Sequence, residues 1–469
     1  MEKSLGIFQD SGDIGDIILV GSAHFDSTVG AYTVTGSGLN MWSVRDAFHY
    51  VWREASGDLS LSADIAFVGE GVEPHRKAGI VFRQDLDADS VYADAVVHGD
   101  GLTSLQFRPT KGGPTQEVQA AVSAPTNVRL EKQGKYLRLY TDGAFSGAAV
   151  SIELTGPFYV GLAVCAHNTD VSETAVFSNV ELGTPTDGPM GLFSTLETIS
   201  IASTDRKVRL CQQAHFEAPN WLPDNSAWLY NSGGLIYKLA LAGGEPERID
   251  TGFVTRCNND HGVTFDGQTL IISDQTQDGK SRIYTLPITG GNPTLITPNA
   301  PSYWHGVSPD GQTLTYCAQR NSQFDIYTIP ITGGEETQLT NCPGLDDGPE
   351  FSPDGTQIYF NSERTGKMQV WRMKADGSEQ EQVTGDERNN WFPHVSPDGK
   401  KMVYLSYEPD VTGHPPGKDV ELRLMDLATR TITTLARFFG GQGTINVNSW
   451  SPDSRQLAFV TYQNLSEES

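Results

Sequence analysis

The sequence predicts an all-β protein of two domains, an N-terminal jelly-roll β-sandwich followed by a six-bladed β-propeller. Short runs of Val, Ile, Thr, Tyr and Phe are bounded throughout by Gly, Asp, Asn and Pro, a pattern typical of strands and turns. A Pro-Asp-Gly turn recurs along the second half at a nearly constant interval. With 469 residues, the chain is too long for one hydrophobic core, so two domains are expected.

The repeated turn defines the second domain. Its clearest form, Ser-Pro-Asp-Gly, and its weaker variants occur at 222–225, 264–267, 308–311, 352–355, 396–399 and 451–454. The first four steps are 42, 44, 44 and 44 residues, which is the usual length of a blade of four short strands. The last step is 55 residues, because the fifth blade carries an insertion at 408–419 that is expected to overhang the channel and brings His414. Six copies therefore predict six blades within residues 193–469.

The last copy leaves too little chain for a whole blade, because the sequence ends 18 residues after Ser451. Residues 196–212 alternate between apolar and polar side chains and precede the first full blade. We expect them to complete the sixth blade, since such closure leaves no open sheet edge where the ring joins.

The blade pattern resembles the TolB propeller family over about residues 215–465. TolB itself carries a small α/β domain before its propeller, and this sequence does not predict one. The resemblance therefore implies the propeller fold and does not extend to the role of TolB in the Tol–Pal envelope system.

Residues 1–185 lack the repeat and contain about a dozen short alternating runs, which predict a β-sandwich. The segments 31–42, 77–85 and 176–182 resemble the concanavalin A-like jelly rolls, particularly the DUF1349-type group. A Gly- and Pro-rich linker is expected at 186–192. Sandwiches of this class often bind sugars, although their aromatic residues more often belong to the core.

Composition excludes several functions. The net charge of −25 disfavours a nucleic-acid partner, because duplex binding needs a Lys- and Arg-rich surface. No phosphate-binding or dinucleotide motif occurs, so no nucleotide cofactor is expected.

Five cysteines without a CxxC spacing predict neither a disulfide framework nor structural zinc. No signal peptide or long apolar segment is evident, which predicts a cytoplasmic protein without membrane contact unless a leader was removed. The sequence leaves the oligomeric state open.

The positions just before each repeated turn are expected to line one end of the central channel, and they are unusually polar. The candidates for acid–base chemistry are His261, His305, His394, Glu217, Asp260, Asp346, Asp347 and Glu350. The candidates for binding a substrate are Arg320, Arg364, Trp304, Asn390, Trp391, Asn446 and His414.

Three histidines recur at nearly the same repeat position and could hold a metal. His261 and His305 lie three residues before the Thr or Ser of the repeat, and His394 lies two before it. With Gln442 they are similar to the metal site of the oligogalacturonate lyases, which also have TolB-like repeats; this implies one divalent ion such as Mn, Ca or Zn. Alternatively, the imidazoles cap strand ends and bind channel water.

Two functions follow from these patterns. The first is a carbohydrate-active enzyme that takes an oligosaccharide or polysaccharide. As a lyase it would bind the uronate carboxylate with Arg320 or Arg364. As a glycoside hydrolase it would use two of the carboxylates. The alternative is a non-catalytic, TolB-like propeller that binds a protein or glycan partner.

Overall fold

The structure, a computed structural model, describes residues 4–185 and 191–465. Those residues contain strands and turns and no α-helix, and so no helix that could span a membrane. Contacts divide the chain into two compact units. The first comprises residues 1–191, 204–211 and 464–469, and the second comprises residues 192–203 and 212–463.

Sixteen strands precede the second unit. They are β1 (Asp10–Ile14), β2 (Ser22–Asp26), β3 (Ala31–Gly38), β4 (Met41–Trp42), β5 (Arg45–Asp46), β6 (Phe48–Ala55), β7 (Leu59–Phe67), β8 (Lys77–Arg83), β9 (Tyr92–His98), β10 (Thr103–Arg108), β11 (Gln116–Gln119), β12 (Asn127–Gln133), β13 (Tyr136–Thr141), β14 (Ala144–Ser151), β15 (Phe158–Cys165) and β16 (Asn168–Gly183). They are followed by β17 (Gly191–Ser200), which lies mostly in the second unit, and β18 (Arg206–Gln212), which lies mostly in the first.

The first unit consists mainly of two sheets. One has the order β14-β13-β12-β7-β16-β3-β2, and the other includes β1-β6-β15-β8-β9-β10-β11-β18. Alternate residues of the two sheets, such as Leu61, Leu130, Ile80 and Leu162, are fully buried in one shared core, as the period of a strand requires. The jelly-roll connection and the concanavalin A-like relationship stay predictions, and residues 186–190 of the expected linker lie outside the described residues.

The second unit contains the repeats. Its strands after β17 are β19 (Phe216–Trp221), β20 (Ala227–Ser232), β21 (Leu235–Ala240), β22 (Glu247–Arg248), β23 (Cys257–Val263), β24 (Thr269–Asp274), β25 (Arg282–Pro287), β26 (Thr294–Leu295), β27 (Ser302–Val307), β28 (Thr313–Arg320), β29 (Gln323–Pro330), β30 (Thr337–Gln338), β31 (Asp346–Phe351), β32 (Gln357–Ser362), β33 (Gln369–Lys374), β34 (Glu381–Gln382), β35 (Asn389–Val395), β36 (Lys401–Tyr407), β37 (Pro416–Asp426), β38 (Ile432–Gly441) and β39 (Gln456–Leu465).

These strands form a propeller-like arrangement of antiparallel sheets, each with its four strands in sequence order from β19 to β38. The first strands of neighbouring sheets pack together, and the backbone N–H of Ala218 donates to the carbonyl of Gly443 at 2.6 Å where the ring closes. The second strands are the most apolar, because they lie between neighbouring blades; β24 buries Leu270, Ile271 and Ile272 completely.

Each repeated turn is held by its own aspartate. In the copy at 352–355, Asp354 accepts hydrogen bonds from the Ser352 hydroxyl at 2.6 Å and from the backbone N–H of Thr356 at 3.0 Å. Gly355 has a φ of 71°, which a side chain would disfavour. This aspartate therefore stabilises the turn.

The number of four-stranded blades differs from the prediction. The described residues form five such blades, not six. The last repeated turn is followed by the single strand β39. This strand pairs with β17, and the Thr461 hydroxyl donates to Glu197 at 2.8 Å.

Candidate functional site

The innermost strand of every blade is interrupted by a shift of pairing register. The shifts fall between Glu217 and Asn220 in β19, Cys257 and His261 in β23, Trp304 and Gly306 in β27, Asp347 and Glu350 in β31, and Trp391 and His394 in β35. Such bulges bend a strand and redirect its side chains. They place the polar residues of the repeats around a cavity.

This axial cavity has a volume of about 530 Å³. Its polar lining comprises the carboxyl groups of Glu217, Asp260 and Asp347, the imidazoles of His305 and His414, and the amides of Asn258, Asn259, Gln275, Gln442 and Asn446. Its aromatic lining comprises Tyr303, Phe324 and Phe392. No Lys or Arg is among the lining residues of this part of the described chain.

One carboxylate of the cavity has imidazole partners. Asp347 Oδ1 lies 3.2 Å from Nε2 of His305, and its Oδ2 lies 3.8 Å from Nε2 of His414. Although burial opposes ionisation, His305 lowers the pKa of Asp347 to about 2. Burial likewise disfavours the charged His305, but Asp260 and Asp347 outweigh it and raise the pKa of this imidazole. The two groups therefore form an ion pair.

The other two carboxyl groups are less well compensated. Burial, with the negative charge of Asp260, raises the pKa of Glu217 to about 7, and the amide of Asn259 donates to Glu217 at 3.3 Å. Burial and Asp347 raise the pKa of Asp260 to about 6, although His305 acts in the opposite direction. Near neutral pH the cavity thus contains two buried carboxyl groups that are close to their titration points.

The insertion in the fifth blade contributes His414. Its Nδ1 is hydrogen-bonded to Oε1 of Gln442, and its ring lies edge-on to Trp391, with centroids 4.4 Å apart. Trp391 is buried and holds this imidazole in place, whereas Phe392 contacts the same ring and also lines the cavity. The insertion therefore completes the cavity wall.

A second, smaller cavity of about 200 Å³ lies beside the repeated turns, and Pro353, Pro397, Trp304 and Glu350 are among its lining residues. His305 lines both cavities. Glu350 is hydrogen-bonded to Nδ1 of His394 and to the Asn448 amide, so its charge is already compensated. Glu350, His394 and Asn448 are not among the lining residues of the larger cavity.

The three histidines predicted to share a metal do not meet. His394 Nε2 lies 2.6 Å from the carbonyl of Ile445, and His305 pairs with Asp347. His261 is fully buried, does not line either cavity, and has its pKa lowered to about 4 by burial. Within residues 4–185 and 191–465, no set of metal-ligating atoms includes these three side chains. The bulges explain the error, since they send equivalent repeat positions in different directions.

Several expected substrate contacts are engaged elsewhere. Arg320 forms two hydrogen bonds of 2.8 Å with Glu336, and Arg364 lies 2.8 Å from Asp346. Asn390 is completely buried, and its amide donates to Gln369 Oε1 of the preceding blade. Neither arginine lines the cavity, so the sequence prediction of a uronate-binding cation there is wrong. Asn446, His414, Glu217, Asp260 and Asp347 do lie together as expected, and Trp304 borders the smaller cavity.

The aromatic wall and the bulges were not predicted from the sequence. A proline within a strand pattern signals a bulge or an edge strand, because proline lacks the N–H of the ladder. Pro219, Pro349 and Pro393 are prolines of this kind, and they lie within the strand patterns of β19, β31 and β35. Ala218 and Phe392, which precede two of them, have positive φ values of 57° and 56°. These prolines are the sequence feature from which the bulges could have been predicted.

Comparison with known proteins places the repeats in a wider group. Residues 298–414 match the model of the TolB beta propeller domain. A protein of Agrobacterium fabrum with no assigned function is 52% identical over 279 residues, which is 59% of this chain and 94% of that protein.

Two solved structures are similar to part of this chain. The structure of a TolB candidate from Agrobacterium tumefaciens is 51% identical and covers 58% of this chain and 99% of its own, with a TM-score of 0.57. TolB from Acinetobacter baumannii is 18% identical over 54% of this chain and 64% of its own, with a TM-score of 0.45. The first similarity extends over nearly the whole length of the relative.

Proposed function

This chain belongs to the family of TolB-like β-propeller proteins, and from that premise we propose that its axial cavity binds a positively charged group of a peptide or protein partner. The group would be a Lys ammonium, an Arg guanidinium or a terminal amine. The observation that carries the proposal is the set of three carboxyl groups in a cavity whose lining has no Lys or Arg among the described residues.

The charges of the lining favour a cation. Asp347 is neutralised by His305, whereas the pKa values of Glu217 and Asp260 are raised because burial leaves their negative charges insufficiently stabilised. A bound ammonium or guanidinium would supply the missing positive charge in a site shielded from water, where an ion pair is stronger than at the surface.

The apolar part of the wall suits the same ligand. Tyr303 and Phe324 lie with their ring centroids 6.4 Å apart, and Phe392 lines the cavity as well. Aromatic faces attract cations and also bury the methylene stem of a Lys or Arg side chain. A volume of about 530 Å³ accommodates one such side chain with the neighbouring backbone.

Binding and proton release should be linked. Because Glu217 has a pKa of about 7, it is mostly protonated at pH 6 and mostly ionised at pH 8. A cation prefers the ionised form, so its affinity should rise about tenfold over this interval.

The test uses the full chain and short fluorescent peptides centred on Lys, Arg or Nε-acetyl-lysine, with anisotropy measured at pH 6 and pH 8. We expect the Lys or Arg peptide to bind and its acetylated counterpart to bind at least about tenfold more weakly. Glu217→Gln should remove most of the pH dependence and leave the smaller part that comes from Asp260. Asp354→Asn, in a repeated turn, is the matched control and should bind as the unaltered protein does. Equal binding of the charged and acetylated peptides would contradict the proposal.

A second candidate function is glycoside hydrolysis, favoured by the divergence of two pKa values within one cavity. Glu217, with a pKa of about 7, would act as the general acid, and Asp347, with a pKa of about 2, would remain ionised as the base or nucleophile. The lyase alternative has less support, because the lining residues described offer no Lys or Arg for a uronate.

An oligosaccharide library separates this candidate from the first. Hydrolysis requires release of a reducing end, with Glu217→Gln and Asp347→Asn each lowering kcat by at least about a hundredfold. Binding of the peptide without turnover of any oligosaccharide would leave cation binding as the only supported function.

A further inference from the structure

We propose that the first unit contains a separate site for a divalent transition metal, formed by His75, His98 and Asp100. One potential ligand atom of each residue lies within 4.8 Å of those of the other two. Two imidazoles and a carboxylate are a donor set suited to Zn²⁺, and three protein ligands leave one position of a tetrahedral ion for water or a further ligand.

The backbone holds the three residues in place before any metal binds. His75 lies between β7 and β8, whereas His98 ends β9 and Asp100 occupies the turn after it. The N–H of Asp100 donates to the carbonyl of Pro74 at 2.9 Å, and the N–H of Gly99 donates to the carbonyl of Arg76 at the same distance. These two bonds tie the loops together, so little ordering would accompany binding.

The two carboxylate oxygens of Asp100 have different surroundings, one in the turn and the other near the histidines. Oδ1 of Asp100 accepts a hydrogen bond from the backbone N–H of Leu102 at 3.0 Å. Its other oxygen, Oδ2, lies 3.9 Å from Nδ1 of His75, too far for a hydrogen bond. A metal between them would use the oxygen that the turn leaves available.

The buried imidazole is the second observation that indicates a ligand. His98 is 5% exposed, and its Nδ1 has no hydrogen-bond partner among the described residues. Gln106 Nε2 lies 3.5 Å from the other ring nitrogen, at the limit of a hydrogen bond. A buried polar atom without a partner is costly, and a metal ligand bond would remove that cost.

A third imidazole flanks the cluster. The ring centroid of His167 lies 5.6 Å from that of His75, and the His75 and His98 centroids are 5.8 Å apart. His75 contacts both of the other rings edge-on, and no hydrogen bond among the described residues joins the three imidazoles. The nearby ammonium of Lys77 is held by Asn40 and Gln106, and the carboxyl groups of Asp94 and Glu117 counter its charge.

The experiment titrates ZnCl₂ into the chelator-treated full chain by calorimetry and measures the bound metal by elemental analysis. We expect one Zn²⁺ per chain. His75→Ala and Asp100→Asn alter exposed side chains, so folding should persist while the affinity falls at least about tenfold. His24→Ala removes an exposed histidine elsewhere in the first unit and should leave binding unchanged.

Co²⁺ provides a second measurement, because a four-coordinate Co²⁺ ion absorbs visible light far more strongly than the hydrated ion. We expect this absorption in the unaltered chain and its loss in His75→Ala. Absence of stoichiometric Zn²⁺, or full retention of one Zn²⁺ by His75→Ala, would overturn the proposal. The peptide experiment on the axial cavity does not involve this site, so each proposal can fail alone.

Discussion

Two carboxyl groups at the axial end of the innermost propeller strands, those of Glu217 and Asp260, differ in pKa from the carboxyl groups at the turn end. At the repeated turns, Asp310, Asp354 and Asp398 are exposed and accept hydrogen bonds from a neighbouring Ser hydroxyl, and these bonds help to lower their pKa values. At the axial cavity, burial raises the pKa values of Glu217 and Asp260. The residue type is shared, but solvation and hydrogen-bond donors decide whether the charge stabilises the fold or remains available to a ligand.

The difference teaches how to interpret a repeat. A carboxylate that recurs in every blade at the same turn position holds that turn, because each copy meets the same local donors. Glu217, Asp260 and Asp347 occupy comparable strand regions with different residue types, and bulges give each a different surrounding. Irregular positions inside a regular repeat are therefore better candidates for a binding site.

The largest effect should come from a carboxylate at the axial end that already has a partner. Arg364→Met removes the guanidinium beside the buried Asp346 and leaves its charge uncompensated. We expect the free energy of unfolding to fall by about 3 kcal/mol, as for other broken buried ion pairs. Denaturant unfolding at pH 7 measures it. The control is the double variant Arg364→Met with Asp346→Asn, which should regain most of the lost free energy of unfolding. A double variant as unstable as Arg364→Met alone would indicate a packing effect instead.

A change of similar size but opposite sign in the free energy of unfolding is expected when Glu217 is replaced. Its folded-state pKa of about 7 lies above the ordinary value of 4.5, so the folded state binds the proton more tightly. The stabilising contribution is complete below about pH 4.5 and is lost as the pH rises through about 7.

Glu217→Gln imitates the protonated form and should remove this loss. Relative to the unaltered chain, the variant should be more stable by about 3 kcal/mol at pH 8 and about equally stable at pH 4.5. Unfolding curves at both pH values provide the measurement. A variant that is less stable at pH 8 would show that the charged form of Glu217 is satisfied in the fold.

The smallest effect is expected at the turns. Asp354→Ala removes the acceptor for Ser352 and Thr356 in one blade, at an expected cost of about 1 kcal/mol. Because the folded pKa of Asp354 is lowered, this contribution is present above its ordinary pKa of 3.8 and is lost as the pH falls through the folded value. The cost of the substitution should therefore vanish in strong acid, where Glu217→Gln has no effect either; at higher pH the two substitutions should change the stability in opposite directions. Peptide binding should not change in Asp354→Ala. A loss of stability in Asp354→Ala that becomes larger in acid would contradict the difference between the carboxyl groups at the turns and those at the axial cavity.

Much of the architecture could be predicted from the sequence. The spacing of the Pro-Asp-Gly turns indicated the propeller and its blade boundaries, since each turn is a local structure set by its own Ser, Asp and Gly. It also indicated that Glu217, Asp260, His305 and Asp347 share one end of the axis. Local hydrogen bonds and strand period carry this information, and both can be read from neighbouring residues.

The site itself was decided by tertiary structure. Periodicity suggested that His261, His305 and His394 converge, but bulges in each innermost strand separate them, and Arg364 and Arg320 find acidic partners outside the cavity. The cluster of His75, His98 and Asp100 joins two loops whose proximity depends on pairing between β8 and β9. The sequence determined which groups exist and which turns they flank. Contacts between distant segments determined which charges meet, because the energy of a charge depends on partners and solvent that no local pattern specifies.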